Sequence, residues 1–211
     1  MLIYEQDSRA ATITLNRPDK HNALSKELRD ELVNCLDKIE CNEDIDVAIL
    51  TGSGPSFCAG FDISEFQTGD IEAVFKQAVA YHHKVYNFTK PLIAAVNGKA
   101  LAGGMDLAAM CDLRIISTES SFGQPQVKMG IDAAFDLMST VLPETVAREI
   151  CLTGRIMSCD EALNNNFANE ITKPQELLIR SKKIATEISE TGNTKKMKAE
   201  FKLLQPNLFS K

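Results

Sequence analysis

The sequence predicts an α/β fold whose C-terminal part is helical. Short apolar runs typical of buried strands alternate with helical periodicity up to about residue 120, and helical periodicity dominates afterwards. The order strand, turn, helix also recurs near residues 47, 92 and 113. Because 211 residues suffice for one sizeable core and a small appended part, we predict a core over residues 1–155 and a helical region over residues 156–211.

Periodicity and helix-terminating residues define the individual elements. Ser25 can cap a helix that runs to about Glu40, and the Ser158-x-x-Glu161 pattern predicts a capping box. Gly154 and Gly192 are placed as helix terminators. Strands are predicted over 1–7, 10–16, 47–50, 92–96 and 113–116, and helices over 71–88, from Gly103 or Gly104 onwards, over 133–142 and 144–153, after Pro174, and in the tail.

Composition excludes several classes of partner. The net charge of −6 argues against nonspecific nucleic-acid binding, and no apolar run is long enough to span a membrane. The first residues lack the basic and apolar regions of a signal peptide. Six scattered cysteines without a CxxC pair predict neither a metal site nor a disulfide framework. We therefore expect a cytoplasmic protein without a bound metal.

The stretch over residues 91–112 is the first candidate site. It combines a buried strand, a loop that carries Gly103 and Gly104, and a short helix that begins at one of these glycines. Free N–H groups at a helix start suit an anion or a developing oxyanion, and the carboxylate of Asp106 follows in the first turn. The same pattern also fits a tight turn with a solvated aspartate.

A second glycine-bearing loop follows the strand predicted over residues 47–50. Its segment CAGFD (58–62) places a glycine beside a backbone N–H, as AGGMD (102–106) does. Two N–H groups that converge from separate loops would stabilise negative charge developing on a thioester carbonyl oxygen. The sequence leaves open whether the two loops converge.

Five segments then occur in a specific order: ITLNRPDKHNALS (13–25), VAILTGSGPSFCAGFDISEF (47–66), KPLIAAVNGKALAGGMDLAAMCDLRIIS (90–117), FGQPQVKMGI (122–131) and ICLTGRIMSCDEAL (150–163). With these segments the chain resembles the enoyl-CoA hydratase/isomerase (crotonase) superfamily. The resemblance implies a crotonase-like spiral of ββα units with an acyl-CoA-binding core over 1–155 and a shortened C-terminal part. It also implies an acyl-CoA thioester substrate, coenzyme A as part of that substrate with no separate cofactor, and a homotrimer or hexamer.

The resemblance assigns roles to individual residues. Phe61 N–H and Gly103 N–H match the two oxyanion donors, and Asp106 matches the first catalytic carboxylate. Family members place adenine and pantetheine along the segments that match residues 22–24 and 58–60. The substrate-binding residues that the resemblance implies are Asn22, Ala23, Leu24, Cys58, Ala59, Gly60, Asp62, Ile63 and Gly104. Arg17 or Lys20 could meet a phosphate, although a solvated loop cation is the simpler interpretation.

The chain departs from the hydratase pattern at the second carboxylate. Hydratases of the superfamily use two glutamates, whereas this chain has Asp106 at the first position and Gln126 at the second. A neutral amide cannot exchange the proton that water addition requires, so we predict one-carboxylate chemistry, above all double-bond isomerisation, rather than efficient hydration. Asp132 or Asp136 could replace the missing carboxylate, although either acid is more often a surface residue.

Other interpretations stay open. Decarboxylation and hydrolysis use the same oxyanion hole, and a degenerate member would bind acyl-CoA or a protein partner with little catalysis. A serine peptidase relative is disfavoured because no Ser/His/Asp set stands in a matching context. One of His82 and His83 could face the acyl pocket, although a solvated or core-packed histidine is the simpler interpretation. Cys58 has no partner that would make it a nucleophile.

Overall fold

The computed structural model describes residues 1–65 and 71–209. Phe66, the last residue of the matching segment 47–66, lies outside the described residues. Within the described residues the strands form two sheets, one with six strands and one with four. The two sheets differ in how far the sequence could predict them.

The six-stranded sheet consists mainly of long, buried strands. In spatial order its strands are Leu2–Asp7 (β1), Ala10–Leu15 (β2), Val47–Gly52 (β3), Leu92–Val96 (β5), Leu113–Ser117 (β7) and Glu170–Thr172 (β10). β1 pairs with β2 in the antiparallel direction, and the other neighbours are parallel. Five of these six strands were predicted from apolar runs or period-two alternation, and these predictions are confirmed within two residues at each end.

The four-stranded sheet was not predicted. Its strands are Ser56–Cys58 (β4), Lys99–Leu101 (β6), Ser121–Gly123 (β8) and Ile156–Ser158 (β9), each of three residues. β4, β6 and β8 are parallel to one another, and β9 is antiparallel to β8. The carboxyl ends of the three parallel strands therefore meet at one edge, which is where ligands bind in open parallel sheets.

Eight helices surround the sheets within the described residues. They are Lys26–Cys41 (α1), Ile71–Tyr86 (α2), Gly103–Ala109 (α3), Phe135–Val141 (α4), Glu144–Thr153 (α5), Cys159–Asn164 (α6), Leu177–Glu190 (α7) and Thr194–Leu204 (α8). Three short 3₁₀ turns occur at Pro18–Lys20, Pro125–Met129 and Pro174–Glu176. No helix in these residues is long and apolar enough to cross a membrane.

Local hydrogen bonds explain where helices begin and end. Ser25 Oγ accepts from Leu28 N at 3.3 Å, and Ser158 Oγ accepts from Glu161 N at 3.2 Å, as the capping patterns predicted. Gly154 ends α5 with φ of 61°, a left-handed conformation that glycine adopts without steric cost. The predicted caps and this predicted terminator are therefore confirmed.

The C-terminal region is more than a set of helices. It supplies β9 to the small sheet and β10 to the large one, and α7 packs Leu177 and Ala185 against the apolar face formed by β3, β5 and β7. α8 is anchored where the buried Lys198 pairs with Asp112. The division at residue 155 stays a prediction.

Candidate active site

The two glycine-bearing loops converge at the carboxyl ends of β4 and β6. A Cβ atom built on Gly60 would lie 3.1 Å from Gly103 N, and one built on Gly103 would lie 3.6 Å from Gly60 Cα. Gly60 has φ of 96°, a conformation that strongly favours glycine. The question that the sequence left open is thus answered: the two loops are in contact.

The N–H groups of Phe61 and Gly103 are free at this contact. Neither donates to a protein acceptor within residues 1–65 and 71–209. Gly103 is the first residue of α3, where N–H groups have no partner in the helix. The preceding Ala102 has φ of 50° and ψ of −126°, a strained conformation of the kind that clusters at functional sites. Two free donors from adjacent loops are suited to hold one oxygen atom.

Asp106 lies one turn into α3 and is almost fully buried, with 7% of its surface exposed. Burial raises the pKa of Asp106 to about 7, and the hydrogen bond from Gln124 acts in the opposite direction. A carboxyl group with this pKa can both accept and release a proton near neutral pH. The interpretation of Asp106 as a solvated surface aspartate is therefore wrong.

Two glutamines connect to this carboxylate in series. Gln124 is fully buried, and its Nε2 donates to Asp106 Oδ1 at 2.8 Å. Gln126 Nε2 in turn donates to Gln124 Oε1 at 2.6 Å. All donors in this series point toward Asp106, which fits an ionised carboxylate that only accepts. Gln124 was not identified from the sequence, because a glutamine beside a short strand carries no pattern of its own.

A cavity of about 300 Å³ adjoins the free N–H groups and the carboxylate. Six predicted site residues line this cavity: Ala59, Phe61, Ile63, Gly103, Asp106 and Gln126. The rest of its wall is mostly apolar and includes residues that the sequence did not indicate, among them Pro125, Met129 and Ile131. The structure thus brings the predicted catalytic set together in one apolar pocket, while the role of each residue stays a prediction.

The other predicted binding residues lie behind this pocket. Asn22, Leu24 and Cys58 have no exposed surface. Asn22 Nδ2 donates to the carbonyls of Ser53 and Ser56, so it supports the loop from inside. All three residues are thus fully buried in this conformation, and their contact with a ligand stays a prediction.

The remaining predicted residues also have internal contacts or lie outside the cavity wall. The Asp62 carboxylate pairs with Arg17 at 2.9 Å, which removes Arg17 as a free loop cation. Gly104 is buried against the Cys58 carbonyl. Ala23 is partly exposed and Gly60 is buried, and neither lines this cavity. Contact of Ala23 with ligand stays a prediction.

Two further titratable residues line the cavity. His82 belongs to its wall, and burial lowers the pKa of this imidazole to about 4, with a further contribution from the Arg29 charge. His82 Nε2 and Gln126 Oε1 are both buried without a hydrogen-bond partner among the described residues. Asp132 lies at the cavity wall with an exposed side chain, whereas Asp136 does not line it. Of the two candidate replacement acids, only Asp132 is therefore in position.

A larger cavity of about 550 Å³ lies under α8. Its wall includes Asp112 and Lys198, which neutralise each other, and none of the predicted site residues. Because the only carboxylate among its described lining residues is paired with Lys198, we place the candidate active site in the smaller cavity.

Known proteins are similar to this chain both in sequence and in architecture. The family model described as enoyl-CoA hydratase/isomerase matches residues 5–204. A short-chain-enoyl-CoA hydratase of Clostridium acetobutylicum is 36% identical over 196 residues, covering 89% of this chain and 74% of that protein. A crotonyl-CoA hydratase of Syntrophomonas wolfei is 35% identical over 200 residues, covering 90% of this chain and 76% of that protein.

A solved structure gives the same result. The human enoyl Coenzyme A hydratase domain-containing protein 3 superimposes with a TM-score of 0.90 at 30% identity, covering 98% of this chain and 85% of that one. The architecture is thus the crotonase-like α/β spiral, as the resemblance implied. The chain belongs to the enoyl-CoA hydratase/isomerase family.

Proposed function

We propose that this protein isomerises the double bond of an enoyl-CoA thioester with a single carboxylate. Phe61 N–H and Gly103 N–H bind the thioester oxygen. The Asp106 carboxylate removes a proton from the α-carbon of a 3-enoyl thioester, which leaves a dienolate. The protonated Asp106 then returns this proton to the γ-carbon, and the product is the conjugated 2-enoyl thioester. No proton is gained or lost over the cycle.

The observation that carries this proposal is the lone buried carboxylate. Asp106 is the only carboxylate among the described cavity-lining residues that is buried, and its pKa of about 7 suits both halves of a proton transfer. Gln126, in the position of the second hydratase glutamate, is an amide that hydrogen-bonds Gln124 and cannot exchange a proton. A carboxylate that works alone suffices for isomerisation.

Hydration is the second candidate, because the two curated relatives described above are named hydratases. Two initial-rate assays separate the candidates: conversion of 3-hexenoyl-CoA to the conjugated isomer, and hydration of crotonyl-CoA. Isomerisation that is faster than hydration supports the proposal. Binding of both thioesters without turnover would favour a degenerate, non-catalytic member.

Restoring the second carboxylate is expected to restore hydration. In Gln126→Glu, a protonated glutamic acid can keep the hydrogen bond to Gln124, and its ionised form can activate water. A positioned acid or base contributes roughly 100-fold or more, so we expect kcat/KM for crotonyl-CoA hydration to rise about 100-fold. Gln126→Met is the matched control, because it removes the amide without adding a carboxylate. If the wild type, Gln126→Glu and Gln126→Met hydrate crotonyl-CoA at equal rates, the missing carboxylate at position 126 does not limit hydration.

The pH dependence of isomerisation is expected to follow Asp106. The ionised form is the base, so kcat/KM should rise with pH and reach half its maximum at about pH 7. The hydrogen bond from Gln124 lowers the pKa of Asp106, so Gln124→Leu should move the midpoint to higher pH. Rate profiles between about pH 5 and pH 9 measure both midpoints, because this range brackets the expected pKa. A midpoint that Gln124→Leu leaves in place would show that another group titrates.

The assembly and the location are further parts of the proposal. We keep the homotrimer or hexamer implied by the family resemblance, and the cytoplasmic location that the scattered cysteines favour. Light scattering coupled to gel filtration tests the first of these, since a monomer would contradict it.

A further inference from the structure

Arg29 is a buried cation next to the candidate oxyanion site. It lies on α1 with 2% of its surface exposed. Its Nη1 donates to the Leu24 carbonyl at 2.6 Å, and Nη1 and Nη2 both lie 3.0 Å from Glu65 Oε2. The guanidinium carbon stands 5.1 Å from the centre of the Phe61 ring, within the range of a cation–π contact. Arg29 itself does not line the cavity.

These contacts all fall on the segments that hold the Phe61 N–H. Leu24 N donates to Gly60 O at 2.8 Å, and Asp62 N donates to Leu24 O at 3.4 Å. The Leu24 backbone thus holds the residues before and after Phe61 and leaves the Phe61 N–H free between them. Arg29 bonds to this same Leu24 carbonyl, so it supports the backbone bridge directly.

Glu65 connects the far end of the loop to the same helix. Its Oε1 accepts from the backbone N–H of Lys26 at 2.5 Å, and its Oε2 pairs with Arg29. A carboxylate at the first turn of a helix is favoured by the helix dipole. The loop from Phe61 to Glu65 is therefore attached to α1 at both ends, and Arg29 takes part in both attachments.

We propose that Arg29 is a positioning residue that orients the Phe61 N–H toward the thioester oxygen. This proposal rests on the proposed function, because it presumes that the N–H binds that oxygen. An apolar residue would fill this buried position without the desolvation cost of a cation. An apolar residue would not supply the contacts that Arg29 makes with the Leu24 carbonyl, the Glu65 carboxylate and the Phe61 ring. These contacts preorganise the Phe61 N–H, and a preorganised donor acts most strongly in the transition state.

The test uses a double variant that removes both charges, Arg29→Met with Glu65→Met. A single substitution would leave an unpaired buried charge and could unfold the protein. The probe is butyryl-CoA labelled with ¹³C at the thioester carbonyl, which has no double bond to isomerise. Its ¹³C chemical shift in the bound state reports polarisation of the carbonyl. The kinetic readout is isomerisation of 3-hexenoyl-CoA.

In the wild type we expect the bound carbonyl signal to move downfield from its position in free butyryl-CoA. In the double variant at least half of this chemical-shift displacement should disappear. We expect kcat to fall about tenfold and KM to change less than about threefold, because a donor that acts in the transition state affects kcat. Arg180→Met with Glu170→Met removes another Arg–Glu pair, which lies outside the site, and should change neither readout.

The outcomes are distinguishable. A double variant with the wild-type displacement and kcat would overturn the role of Arg29. A wild type with no displacement would instead contradict the oxyanion hole and the proposed function. If the double variant does not fold, the same two readouts are measured in Arg29→Lys. Lysine keeps the positive charge but lacks the planar guanidinium that donates to Leu24 and Glu65 together. A wild-type displacement in Arg29→Lys would also overturn the proposal.

Discussion

Asp106→Asn is expected to reduce the kcat for isomerisation of 3-hexenoyl-CoA about 1,000-fold, which is within the range that a positioned acid or base contributes. The amide keeps the size of the carboxyl group, and its Oδ1 can still accept the hydrogen bond that Gln124 Nε2 donates to Asp106. It cannot accept a proton from the α-carbon. Steady-state rates at about pH 8, where the wild-type carboxylate is mostly ionised, measure the effect.

The same variant is expected to be more stable than the wild type at about pH 8. Burial raises the pKa of Asp106 from its ordinary 3.8 to about 7, so between these values the folded state binds more protons than the unfolded state. The contribution of Asp106 to stability therefore falls as pH rises through this window. The amide of the variant has no proton to lose, and the gain is on the order of 4 kcal/mol above about pH 7. Urea unfolding at about pH 5 and about pH 8 shows whether the gain is larger at the higher pH.

Two other aspartates serve as controls for this prediction. Asp132→Asn changes an exposed carboxylate at the cavity wall, and Asp136→Asn changes one outside it. If Asp106 works alone, both controls keep kcat within about threefold of the wild type, a change of less than about 1 kcal/mol in the barrier. If Asp106→Asn keeps the wild-type kcat, Asp106 does not transfer the proton. A large loss of kcat in Asp132→Asn would show that Asp132 acts as a second acid.

How far the fold could be predicted depended on strand length. β2, β3, β5 and β7 have five or six residues and are largely buried, so their apolar pattern is visible in the sequence. The small sheet is built from three-residue strands, which are too short to show any period. Their pairing depends on contacts between distant parts of the chain. The four-stranded sheet, which places the active-site loops side by side, could therefore not be predicted from the sequence.

The candidate site shows a similar division. Gly103 and Asp106 were first indicated because a strand, two glycines and a helix start follow one another in the sequence, and the family resemblance then assigned their roles. Gln124 and Arg29 were missed because their importance lies in what they touch: Gln124 reaches Asp106 across 18 positions, and Arg29 reaches Glu65 across 36. A single sequence carries no local signal for such pairs.

Gly104→Ala is expected to be the most destabilising of these substitutions. A Cβ atom at Gly104 would lie 2.0 Å from the Cys58 carbonyl oxygen and 2.7 Å from its carbon. These are backbone atoms of β4, which is paired with β6 in the small sheet, so they cannot turn away as a flexible side chain would. We expect a loss of at least about 3 kcal/mol in the free energy of unfolding, at the upper end of the range for overpacking. Urea unfolding measures it as a lower midpoint.

Gly192→Ala is the matched control for the steric argument. Gly192 has φ of 67° but no atom within 4 Å of a built Cβ, so alanine there adds only backbone strain of about 1 kcal/mol. A midpoint for Gly104→Ala no lower than that of Gly192→Ala would contradict the close approach of α3 to β4. The approach also matters for chemistry, because it is the contact that brings Gly103 and Asp106 to the Phe61 loop. Any Gly104→Ala protein that folds must move α3 away from β4, and its kcat for isomerisation should fall together with its stability.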